Sequence, residues 1–140
     1  MSVHLHRDLE RLHQHVMSLG GLVETATGKA VRALVERRPS LAEEVLAGDR
    51  VIDQREVEVE EECLKMLALH QPVASDLRFL VATLKLNNDL ERMGDLAVNL
   101  AKRAIYVATH DPLSVNLEFQ KMGNAVLEMQ RKSLDAVIQR

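Results

Sequence analysis

A chain of 140 residues is long enough for one domain with a real core, burying about two-thirds of its unfolded surface. Only three prolines and six glycines, with no tryptophan, leave too few turn residues for an all-β fold, while Leu, Ala, Val, Glu and Arg lean helical. A net charge of −3 with both signs interspersed gives no footprint for nucleic acid and fits a solvated helical surface.

The single Cys63 excludes an intrachain disulfide and fits a reducing compartment. The N-terminal run MSVHLHRDLERLHQH is charged and holds four histidines, so it is no signal peptide. No window approaches about eighteen uninterrupted apolar residues. A soluble, cytoplasmic chain without direct membrane insertion is expected.

The first helix is predicted from about Val3 to Val35. Leu5, Leu9, Leu12, Val16, Leu19, Val23, Ala26, Ala30 and Leu34 alternate steps of three and four, the spacing of a bundle helix. Gly20-Gly21 in its middle costs about 1 kcal/mol per glycine relative to Ala, so a bend or a close backbone approach is expected there. Glu36-Arg37-Arg38-Pro39 ends it, and Ser40 is the candidate cap of the next helix.

The second helix is predicted from Leu41 to about His70, with an irregularity possible at Gly48. Val45, Ile52, Val59, Cys63 and Met66 or Leu67 form its apolar side, and Cys63 is read as a small core residue. Beside them runs an acidic stripe of Asp49, Asp53, Glu56 and Glu60. Two readings of that stripe stand: a solvated face or metal ligation. Gln71-Pro72 breaks the chain, and Ser75 or Asp76 can cap a third helix that reaches roughly Ala108 through Leu77, Leu80, Val81 and Leu84.

The third helix carries the most informative stretch, NNDLERMGDLAVN. Asn88, Glu91, Asp95 and Asn99 share one face, and Leu86, Leu90, Met93, Ala97 and Leu100 share another. Carboxylates one turn apart, flanked by carboxamides, make a surface for a hard cation. Short connections force antiparallel neighbours. A turn centred near residue 73 sets Asp53 level with Met93 and Glu56 near Leu90, so both acidic groups share one height. Rotation about the helix axes, which this arithmetic does not fix, decides whether they meet. Gly94 beside the carboxylates suggests a close helix approach.

A turn over Thr109-His110-Asp111-Pro112 leads to a fourth helix from Ser114 or Asn116, with Phe119, Met122, Val126, Met129 and Val137. The architecture expected is all-α: an antiparallel bundle of three long helices over 1–108, and a fourth helix over 109–140 that opens a second repeat.

Other candidates are weaker. His6, Glu10 and His13 share a face, but a di-iron bundle needs two Glu-x-x-His motifs and only this one is present. They read as exposed, as do His70 and His110 at the turns. Lys102 and Arg103 read as solvated. Gly28-Lys29 lacks the rest of a P-loop, and neither a nucleophile elbow nor HExxH occurs.

Two ordered motifs go further. His70-Gln71-Pro72-Val73-Ala74-Ser75-Asp76-Leu77-Arg78, followed by Asp89-Leu90-Glu91-Arg92-Met93-Gly94-Asp95-Leu96-Ala97, resembles the PhoU family of bacterial phosphate-uptake regulators. Met17–Glu24 resembles that family's first helix, Asp49–Asp53 its second, and MQRKSLDA the start of a second repeat. The resemblance implies tandem three-helix bundles that bind divalent or iron ions on E/DxxxD carboxylates, carried here by Glu91 and Asp95. Asp53, Glu56 and Asn99 are further metal candidates on level and stripe. It also implies a non-enzymatic negative regulator of phosphate-starvation signalling, acting between a phosphate ABC transporter and a sensor histidine kinase. A homodimer would rebuild the two-repeat form. The rival reading is a helical protein-interaction module without a metal site.

Overall fold

The computed structural model describes residues 3–110 and 116–138, apart from the side chains of 3, 116–120, 122, 137 and 138. Four helices follow in order: α1 (Val3–Val35), α2 (Pro39–His70), α3 (Ala74–His110) and α4 (Asn116–Ile138). All nine apolar positions read for α1 are buried, and so are all five of the Leu86–Leu100 stripe on α3. These stripes meet Ile52, Val59, Cys63 and Met66 of α2 in one core. Amphipathic spacing thus dictates both the helices and the faces they bury.

The connections are tight. Arg37 takes a left-handed φ of 54°, and the Arg38 N–H reaches back to the Ala33 carbonyl at 2.9 Å, closing α1 with a Schellman turn. Arg38 then occupies the N-cap of α2 without a side-chain cap bond, and Pro39 enters at the first turn. Ser40 therefore lies inside the helix and does not cap it. Gly48 interrupts nothing, because α2 is continuous past it. Gln71 ends α2 with a left-handed backbone, and Ala74 opens α3 with φ 55°. The Arg37 guanidinium donates to the Val107 carbonyl at 3.0 Å, tying the end of α1 to the last turns of α3.

Contacts across the helices fix their directions. Ser18 meets Arg55, and Lys29 meets Glu44, so α1 and α2 run antiparallel. Arg131 pairs with Glu24, and Gln130 reaches Thr27, so α4 runs antiparallel to α1 as well. The seam between α1 and α4 is built on reciprocal glycines. A Cβ on Gly20 would stand 2.5 Å from Leu134 Cδ2, and one on Gly123 would stand 2.4 Å from Val31 Cγ2. Gly20 thus marks a close approach within a continuous helix, while Gly21 beside it faces open space.

Three readings change. Leu77 and Val81 are exposed on α3, while Leu80 buries as read, Leu84 packs partly buried against the core, and Phe79 joins them. On α4 the inward positions are Gly123, Gln130 and Leu134, while Met129 is 62% exposed. Phe119, Met122 and Val137, and the turn residues Asp111 and Pro112, lie outside what is described. His70 is mostly buried and bonds Asp8 across α1 and α2 at 3.1 Å, so it is no free surface residue.

Candidate functional site: an acidic face between α2 and α3

The site begins with how α3 seats on α2. Glu56 Oε1 and Ile52 Cγ2 lie against α3 at Gly94, 3.6 Å from where a Cβ would stand, an ordinary van der Waals distance. Asn87, two turns earlier on the same side, is buried and donates its amide to the Glu56 main-chain carbonyl at 3.0 Å. These contacts pin both the register and the rotation of the pair. They turn the acidic stripe of α2 toward the Glu91/Asp95 pair.

The carboxylates then share one electric field. Burial is the largest influence on Glu56, and Asp53, Glu91, Asp95 and Asp49 add to it in that order, pushing its carboxyl up to about 8. Burial also raises Asp49, assisted by Asp53 and Asp95 and opposed by Lys102. Five acids from two helices are thus gathered: Asp49, Asp53 and Glu56 from α2, Glu91 and Asp95 from α3. Glu56 is only 6% exposed, and its Oε1 has no hydrogen-bond partner. A buried, unpartnered carboxylate oxygen costs on the order of 1–3 kcal/mol, more if charged.

Sequence-level candidates sort accordingly. Glu91, Asp95 and Asp53 lie within electrostatic reach of Glu56. Asn99 is exposed one turn beyond Asp95 and is not drawn into the cluster among the described contacts. Glu60 is exposed at the far end of the stripe, where its charge bears on Cys63. His6 and Glu10 are exposed, while His13 packs half-buried with its ring 6.4 Å from that of Phe79. Asn87 had no functional expectation: one residue off the polar stripe, it reads from sequence as an ordinary helix-surface amide. The only hint was a carboxamide at a core-facing phase, beside Leu86 and Leu90.

The donor set fits a hard cation in its chemistry: oxygen only, strongly anionic, with one buried oxygen lacking a partner. Its geometry is open. Among the described residues, no three His, Cys, Asp or Glu side chains close on a common point that could hold an ion. The carboxylates of Asp53, Glu91 and Asp95 are exposed.

Fold and site together define a class: a bundle of long helices that presents an oxygen-donor face along one helix pair, with no helix among the described residues long and apolar enough to cross a membrane. A PhoU domain family model matches residues 16–104. The chain belongs to the PhoU family. It is 42% identical over 135 residues to a phosphate-specific transport system accessory protein PhoU homolog of Aquifex aeolicus (strain VF5), covering 96% of this chain and 61% of that one. A protein of Escherichia coli (strain K12) named phosphate-specific transport system accessory protein PhoU is 35% identical over 131 residues, covering 92% and 54%. The crystal structure of PhoU from Pseudomonas aeruginosa superposes with a TM-score of 0.90 at 37% identity, covering 96% of this chain and 65% of that chain. The phosphate transport system regulatory protein PhoU from Streptococcus pneumoniae gives a TM-score of 0.81 at 32% identity, covering 94% and 62%. The chain therefore spans between about half and two-thirds of the length of these relatives.

Proposed function

We propose that this chain serves a phosphate-uptake system as an accessory regulator, and that its acidic face holds a divalent or iron cation across α2 and α3. The carrying observation is a buried Glu56 oxygen without a hydrogen-bond partner, within electrostatic reach of Asp49, Asp53, Glu91 and Asp95. Five carboxylates along one helix pair repel each other, and a cation offsets that repulsion while favouring the ionised form of Glu56. When bound, the ion supplies positive charge and a bridge between two helices. The chain's own part is to present oxygens and to hold the α2–α3 register through Asn87 and Gly94.

The role is regulatory binding and not turnover. The names of the relatives tie them to phosphate transport. The names support a transport-system partner; the family resemblance of the sequence adds, as this reading, a phosphate ABC transporter and a sensor histidine kinase as partners, with negative regulation of the starvation response. Self-association as a homodimer and a cytoplasmic location complete the reading.

Metal content of the purified protein tests the site, with Glu91→Ala and Asp95→Ala compared against the parent. Both variants should lose most of the bound iron or divalent metal. Unchanged content in both overturns the cation reading. A second reading would then stand, a helical interaction module with no metal site. One observation favours it: no three carboxylates of the described residues close on a single point.

A further inference from the structure

The polar stripe of α3 continues past Asn99. Glu91, Asp95, Asn99 and Lys102 follow at steps of four, four and three, so all four occupy one helix face. Because α2 and α3 are antiparallel, levels can be counted from a known contact. Glu56 touches the position of Gly94. Ile52 lies equally close to that position, so counting back along α2 from the two contacts sets Asp49 level with residues 97 to 101 of α3, with Lys102 just beyond. Lys102 thus stands at the Asp49 end of the acidic face. Its charge is felt there, against the push of Asp53 and Asp95. It is exposed, and its ammonium rides on a flexible four-carbon stem that lets it swing across a neighbouring turn. Glu56 Oε1, nine-tenths buried and unpartnered, marks the other end of the same face as a place lacking a positive partner.

We infer that Lys102 is a tethered counter-cation that competes with the metal ion for the Asp49 end of the acidic face and so sets its affinity. The inference rests on the cation reading above. In the cation-free protein the Lys102 ammonium partly screens Asp49 and its neighbours. An incoming divalent ion must displace it to a greater distance and bear its repulsion. Lys102 is a positioning residue and touches no ion. Its effect is a Coulomb term through partly solvated space, which puts it at roughly three- to tenfold in affinity for a doubly charged ion.

Titration calorimetry of the full chain with Mn²⁺, and anaerobically with Fe²⁺, provides the test. Lys102→Met keeps the stem and removes the charge. It should tighten binding by roughly three- to tenfold at ~10 mM salt, where the Debye length is about 30 Å, and the gain should vanish near 1 M, where it is about 3 Å. Lys65→Met is the control: it also removes one exposed lysine charge, but at the far end of α2. Equal tightening by both variants would reduce the effect to net charge and overturn the inference. So would unchanged affinity in Lys102→Met while Glu91→Ala abolishes binding, and that result would leave the cation site intact. Parent protein that binds neither ion would overturn the site and the inference together. Helical circular dichroism, matched across variants, confirms that each compares folded protein.

Discussion

Glu56 offers the sharpest check on how the acidic face is built. Its carboxyl stands at about 8 in the folded chain against an ordinary value of 4.5, through burial first and the Asp53, Glu91, Asp95 and Asp49 charges second. Between those two pH values the cation-free folded state holds a proton that the unfolded state releases. Stability must therefore fall as pH rises from about 4.5 to about 8, and level off above. Taken whole, that displacement corresponds to a ceiling of roughly 5 kcal/mol at about 1.4 kcal/mol per pH unit. Solvent and salt screen the share due to the exposed neighbouring carboxylates, and relaxation around the buried carboxyl lowers the share due to burial, leaving about 2 kcal/mol. Replacing Glu56 by Gln keeps the shape and removes the titration. Chemical denaturation of chelator-treated protein at pH 5, 7 and 9 is the assay. The variant should match the parent within about 0.5 kcal/mol at pH 5 and exceed it by about 2 kcal/mol at pH 9. Parallel stability curves for the two proteins would refute the idea that Glu56 is buried among like charges.

The glycines give opposed expectations. Gly21 has nothing within 4 Å of a would-be Cβ, so Gly21→Ala should stabilise by about 1 kcal/mol through helix propensity. Gly123→Ala would drive a methyl against the stiff, branched Val31 and should destabilise the α1–α4 seam by about 1–3 kcal/mol in thermal unfolding. Gln71→Gly should raise stability by roughly 1 kcal/mol, because Gln71 holds a left-handed backbone at φ 42° that glycine adopts without strain. A neutral or negative change in denaturant midpoint there would mean the Gln71 side chain contributes more than its backbone costs.

Much of this protein was written locally. Helix periodicity repeats every three to four residues, so a single α1 stripe such as Leu5 to Leu34 states its own buried face without knowledge of any partner. Proline and the turn motifs set the connections, and short connections set antiparallel order. The all-α class, the long-helix bundle and the level shared by Glu56 and Glu91 followed from that. Local pattern failed where an apolar residue's fate depended on a neighbour's phase. Val81 and Met129 suit a buried stripe in composition, yet lie outward because Phe79, Leu80, Gln130 and Leu134 fill the inward positions.

The acidic face shows the same division. Sequence supplied its charges and their spacing on each helix, together with the height at which the two groups sit. Rotation about the helix axes is a property of the packed pair and has no one-helix signal. Tertiary structure decided it through the packing of Glu56 and Ile52 against α3 at Gly94, and through Asn87, whose amide holds the Glu56 carbonyl. The same packing buried Glu56, brought in Asp49 and left Asn99 and Glu60 outside. A carboxylate stripe becomes a site when another helix turns its own acids toward it, and only the folded bundle fixes that turn.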